Sequence, residues 1–232
     1  MTPQESKTAL TLLTADAADT IDWVLRRSSG SFESRRFQLL ETGSALVGFY
    51  SEGSAALAAD FYDESRADAR APGRFVADPV ILDRTVKIRR GIAWASEPLS
   101  TDDEDAAIAR LTQIMRSEVV RPYRDTITTN RRQDPAAVGW QRITSGGSCG
   151  FCRALASRGA VYRQATAHFA AHDNCNCTCA PVFRGGEVGP EASVMQYMAS
   201  KRRRTPAERA RTNEWASEFE TEPRPHVKTS SL

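Results

Sequence analysis

The sequence has no excess of charge of either sign: 31 Lys and Arg stand against 29 Asp and Glu, a formal net charge of +2. That balance removes the simplest case for a nucleic-acid or membrane-surface protein, which rests on a strong basic bias. Long apolar runs are missing too, and none approaches the roughly 20 residues needed to cross a bilayer. The stretch MTPQESKTALTLL places an acid and polar residues where a secretory signal would have basic and then continuously apolar ones, so a cytosolic origin is expected. Histidine is scarce, with only His168, His172 and His226. No Gly-x-Ser-x-Gly elbow and no His-Glu-x-x-His pattern accompanies them, which weakens both serine-hydrolase and zinc-protease readings. There is no internal repeat. Cysteine is limited to five residues, yet all five fall between Cys149 and Cys179. In a reducing compartment such a cluster points to metal ligands or redox groups rather than structural disulfides, and the odd count points the same way.

What is present is an ordinary soluble composition, 41% hydrophobic and 26% charged over 232 residues, enough for one substantial core or for a helical body with a smaller module. Thr2-Pro3-Gln4-Glu5 supplies an N-cap, a proline at the first helical position and a capping-box glutamate. Leu10, Leu13, Ala17, Ile21 and Val24/Leu25 follow at helical spacing, so a helix ending near Arg27 is predicted. Phe37, Leu40, Leu46, Phe49, Tyr50, Leu57 and Phe61 continue a helical pattern that should end before Ala71-Pro72-Gly73, despite Gly43, Gly48 and Gly53 within it. Thr101-Asp102-Asp103-Glu104 reads as a second capping box, followed by Ile108, Leu111, Met115 and Val119 on one face; Pro122 is expected to kink or end that helix. Thr205-Pro206-Ala207-Glu208 opens a third such helix, directly after the basic run Lys201-Arg202-Arg203-Arg204.

Between about Gly139 and Pro190 the helical period gives way to glycines, cysteines and short apolar runs such as Pro181-Val182-Phe183. Written out, this segment is Cys149-x2-Cys152, then His168, then His172-x2-Cys175-x-Cys177-x-Cys179. A tetrahedral zinc site needs four soft or borderline ligands, usually as two close pairs joined by a longer loop, and both pairs are here. If 175–179 is extended, Cys175, Cys177 and Cys179 project to one face. The set that fits best is Cys149, Cys152, His172 and one of Cys175 or Cys177, with His168 and Cys179 packing around them. Four protein ligands would leave no open position, which makes the ion structural rather than catalytic. A redox Cys-x2-Cys would want a βαβ setting, which the pattern does not offer.

CGFCRALASRGAVY followed by HDNCNCTCAPVF resembles the phage Mu F-like minor head proteins, the minor capsid or head morphogenesis family, in spellings closest to tailed phages of actinobacteria. The shared motif pairs an early Cys-x2-Cys with a later His-x2-Cys-x-Cys running into an apolar strand. It falls here on Cys149, Cys152, His172, Cys175, Cys177 and Pro181-Val182-Phe183. Asp173 and Asn176 stand where many members have proline and arginine, and Cys179 is additional. The resemblance implies a low-copy internal component of the virion head that acts in assembly, contacts portal or major capsid protein, and has a role in DNA packaging or ejection.

The expected architecture is mainly α with a small zinc-stapled α+β module: a helical body over 1–138, the Cys/His module over 139–186, and a basic C-terminal helix and tail over 187–232. The expected role is structural, with structural zinc, portal or capsid partners, self-association and no membrane. Two alternatives stay open. One is a capsid maturation protease, with His168 as the available base and Ser145, Ser148 or Ser157 as nucleophile. The other is a DNA-binding head protein using Lys201, Arg202, Arg203 and Arg204, although Glu208, Glu214, Glu218 and Glu220 nearby favour a solvated, ion-paired helix face.

Overall fold

A computed structural model of the chain describes residues 1–144, 148, 150–157, 177–184, 205–207, 210, 214 and 217. The first helix, α1 (Pro3–Arg27), begins as its sequence signal requires: the Thr2 hydroxyl accepts from the Glu5 N–H, and the Glu5 carboxylate accepts from the Thr2 N–H at 2.7 Å. The second, α2 (Phe32–Asp68), is capped by Ser31 and runs unbroken through its three glycines. Gly43 has a reason to be glycine, since a Cβ there would come within 3.1 Å of the Ile92 side chain on α3 (Thr85–Ala95). That third helix is short, and its pattern was not separable from the surrounding loop in the sequence. Arg89 and Arg90 lie inside it.

The start of α4 (Glu104–Gln133) corrects the capping expectation. Pro98 opens a 3₁₀ turn over Glu97–Thr101, in which the Thr101 hydroxyl donates back to the Pro98 carbonyl. Asp102 then adopts a left-handed conformation, and Asp103 becomes the cap, accepting from the Ala106 N–H at 3.0 Å. Pro122 neither ends nor interrupts α4, which continues to Gln133. Pro122 cannot donate to the Glu118 carbonyl, but Val119, Val120, Tyr123 and Ile127 around it are all buried, and their packing offsets one missing hydrogen bond.

Two strands follow, β1 (Ala137–Ile143) and β2 (Thr178–Phe183), antiparallel, with Trp140 opposite Pro181 and Arg142 opposite Cys179. Between them lies α5 (Gly150–Ala156). The expected closing strand at Pro181-Val182-Phe183 is therefore present, and the boundary expected at 138 falls within β1. The protein is mainly helical with this small sheet among the described residues. Ala17, Ile21, Leu39, Val47, Ile92, Leu111 and Val119 form one buried cluster across α1 to α4. A second joins Leu10, Phe61, Tyr62, Tyr123 and Ile127 to Trp140, Cys179 and Phe183, so the sheet shares its core with the helices. Pro206, Ala207, Ala210, Glu214 and Ser217 are helical and exposed, where the signal at Thr205 predicts a helix. Among the described residues no helix is long and apolar enough to cross a membrane.

The segment from Ala71 to Asp83 has no regular structure, and side chains satisfy its backbone. Asp63 accepts from the Ala77 N–H, Asn130 from the Asp78 N–H and Thr126 from the Val80 N–H, each at 2.9 Å, while the Asn130 amide donates to the Asp78 carbonyl at 2.8 Å. Asn130→Ala should therefore cost about 2 kcal/mol in a urea melt, and should speed tryptic cleavage at Arg74 in the native protein. Unchanged cleavage would show that this segment is held by other means.

Candidate metal centre

The register of the two strands decides which cysteines can meet. Because Thr178 pairs with Ile143, Cys177, the residue just before β2, lies at the end of β1. Cys177 and Cys152 thereby pack together, both buried, in a small cluster with Phe151. The Cys177 thiol faces the buried Ser148 hydroxyl at 3.9 Å. Its backbone carbonyl accepts two hydrogen bonds from Arg124 on α4, from Nε at 2.9 Å and Nη2 at 2.6 Å.

Cys179 does something else. The strand begins at Thr178, one residue after Cys177, and the two cysteines fall into different buried clusters. Cys179 enters the main core beside Tyr123 and Trp140. Burial pushes its thiol up to about 12, although Arg124 and Arg142 both pull it down. It is a neutral core side chain at neutral pH, consistent with a packing role.

Of the candidate ligands, then, Cys152 and Cys177 come together. Cys149, His172 and Cys175 lie outside the described residues, as do His168 and Lys201, Arg202, Arg203 and Arg204. Among the described residues no group of three or more His, Cys, Asp or Glu side chains is assembled for a metal. The residues that spacing arguments missed are Arg124 and Arg142. Both carried a signal: Arg124 sits in the apolar stripe of Val120, Tyr123 and Ile127, and Arg142 shares a strand face with Trp140, positions where a solvated arginine does not belong.

The family model described as VG15 protein matches residues 4–203, most of the chain, spanning the helices α1 to α5 and both strands. The chain belongs to the VG15 protein family. The VG15 proteins are a phage family, which agrees with the phage origin implied by the Cys/His motif and leaves the narrower Mu F-like assignment aside. No curated protein and no solved structure matches this VG15 chain.

The VG15 chain also has a cleft of about 330 Å³ lined by Val47 of α2, Ile81 and Leu82 of the irregular segment, Ile88 of α3, and Glu118, Arg121 and Asp125 of α4. Arg84 binds the Glu118 carboxylate through two hydrogen bonds, at 2.6 and 2.9 Å. Burial alone would lift the Glu118 carboxyl, but those bonds and the charges of Arg84, Lys87 and Arg121 outweigh it and hold it below its ordinary value. Asp125, without such bonds, is lifted by burial in spite of Arg121 and Arg84.

A carboxyl whose folded pKa is depressed stabilises the fold above its unfolded value, about 4.3 for glutamate, and loses that contribution as pH falls through the folded value. Arg84→Met should therefore cost about 3 kcal/mol at neutral pH. The gap to the unmodified protein should close as the pH of the urea melts is taken down to about 3. A gap that stays constant across that range would show that the pair contributes through packing rather than charge.

Proposed function

We propose that this chain is a minor structural component of a phage head, acting in head assembly beside the portal or the major capsid protein, with its Cys/His segment fixed by a structural zinc ion. The observation that carries the reading is the meeting of Cys152 and Cys177, one from each half of the motif, in a single buried cluster. Membership of a phage family over 4–203 supports the setting. The residue types suit the ion: Cys152 and Cys177 share one buried cluster, and with Cys149 and His172, their near neighbours in sequence, they would make a soft four-ligand set of the kind zinc takes. Cys177, which packs with Cys152, is taken as the fourth ligand. Zinc bound there supplies a fixed crosslink without redox chemistry.

The long helices would then supply the contact surfaces. Leu12, Trp23, Phe37 and Phe49 are exposed apolar side chains on α1 and α2, and such residues suit a portal, a capsid shell or a second copy. Lys201 to Arg204 would give a salt-dependent contact with packaged DNA inside the virion.

Metal analysis of the purified full chain should find one bound zinc ion, lost in Cys152→Ser and in Cys177→Ser. Zinc-free protein of unchanged helicity would overturn the metal assignment. For the structural role, a head reconstruction should show density at the portal or the inner shell that disappears when the gene is deleted. Intact heads without the protein, together with cleavage of the major capsid protein that is lost in His168→Ala, would replace the structural reading with the protease.

A further inference from the structure

The lining of the cleft against α2, α3 and α4 carries an excess of negative charge: three carboxylates, Asp83, Glu118 and Asp125, stand against two guanidiniums, Arg84 and Arg121. Glu118 is matched by Arg84 and, at 3.7 Å, by Lys87, and Asp83 accepts from the Thr85 N–H at 3.0 Å. Asp125 has no such match. Among the described residues its carboxylate accepts no hydrogen bond and forms no ion pair; Arg121, Arg84, Arg124 and Arg132 act on it through space, and burial still lifts it. Pro122 lines the cleft as well and has no N–H to offer. A carboxylate partly withdrawn from water without a donor is costly, and a positively charged donor entering the cleft would offset that cost.

Much of the remaining lining is apolar. Val47 and Ile88 contribute to it, and Ile81 and Leu82 are left 50% and 57% exposed there. Gly48 of α2 also lines the cleft, and a Cβ built on it would meet nothing within 4 Å, so the space in front of the helix is open at that point. A volume of about 330 Å³ is at the small end for a binding cleft and suits a side chain or two rather than a helix. Lysine and arginine have the two-part character this lining calls for, an aliphatic stem that packs on apolar surface and a charged head made only of donors.

We propose that the cleft docks a segment of a partner protein that presents a lysine or arginine side chain beside apolar residues, its stem against Val47, Ile81, Leu82 and Ile88 and its head at Asp125. Charge complementarity fixes the occupant, since the lining has one negative charge in excess and one carboxylate without a donor. The site uses neither the cysteines nor zinc, and stands whether or not the metal reading does.

The probes are the acetylated and amidated peptides Leu-Ala-Arg-Ala-Leu and Leu-Ala-Lys-Ala-Leu, a version with norleucine at the centre, which keeps the lysine stem without its charge, and a version with glutamate there. Binding to the full chain is followed by amide chemical shifts. Both basic peptides should bind with a Kd on the order of 1 mM and move the signals of Gly48, Leu82 and Asp125. They should bind about 10-fold more tightly than the norleucine peptide. Asp125→Asn, which keeps the shape and removes the charge, should bring them down to the norleucine level. Gly48→Leu, which fills the open space from a helix position that favours leucine over glycine, should abolish binding without lowering the melting temperature. Equal binding of the norleucine peptide, or basic peptides unaffected by Asp125→Asn, overturns the proposal, as does the absence of saturation by any peptide up to about 10 mM. Tighter binding of the glutamate peptide, lost in Arg121→Gln, overturns it in favour of an anion site. If Asp125→Asn does not fold, Gly48→Leu and the norleucine comparison decide.

Discussion

The constraint on which the structure depends is that α4 is buried on several sides and so must carry its polar residues into the interior with their partners. Glu118, Arg124, Thr126, Asn130 and Asp134 are all buried along this helix and its cap. Each is matched to a group outside the helix. Glu118 takes Arg84, Thr126 and Asn130 take the backbone of the Ala71–Asp83 segment, and Arg124 takes the Cys177 carbonyl. Asp134 takes Arg66 at 3.0 Å and the Ala136 N–H at 2.9 Å, tying α2 to the turn into β1. Buried polar groups that are satisfied rigidify a fold, and those left unsatisfied cost more than the bond was worth, so these pairings fix where each irregular segment lies. The helix is thus a spine that organises the non-helical parts by hydrogen bonding as well as by apolar contact.

The cysteines divide along that spine. Arg124 donates to the backbone carbonyl of Cys177, while Cys179 joins the core cluster of Tyr123, the residue before Arg124 on α4. One sulfur is therefore kept with Cys152 and Ser148 outside the main core, and the other is withdrawn into it. Cysteine behaves as a small hydrophobe when its surroundings are apolar and as a ligand when they favour the thiolate. Two cysteines only two residues apart meet these two environments because the chain enters the sheet between them.

How much of this was legible in the sequence depended on whether the signal was local. The capping box at Thr2, the length of α2 and the strand at Pro181-Val182-Phe183 are written in adjacent residues, and all three are found. The cap of α4 was misplaced by two residues because Pro98 starts a 3₁₀ turn that consumes Thr101, a competition that a four-residue motif does not reveal. Pro122 was overrated as a breaker because the packing that holds α4 together comes from α1, α2 and the sheet, none of it visible locally. At the candidate site, spacing identified Cys152 and Cys177 as members of one constellation. It did not identify Arg124, whose partner lies far along the chain, although an arginine inside an apolar stripe was itself a clue.

A two-stranded sheet has too little surface to be stable by itself in water. Here it does not need to be, since Trp140, Cys179 and Phe183 bury their side chains in the core that Phe61, Tyr62 and Tyr123 build from α2 and α4. This distinguishes the segment from a small zinc finger, in which the metal supplies nearly all the folding free energy. In the proposed reading, zinc would act on a hairpin already docked, so its contribution would concentrate in the residues between β1 and β2 rather than in the bundle. The Arg124–Cys177 contact is then the link between the two parts. A charged hydrogen bond of this kind contributes about 1.5–3 kcal/mol, enough to couple the order of the cysteine segment to α4 without making either depend wholly on the other. An assembly protein built this way would keep its helical contact surfaces intact whether or not the metal is bound.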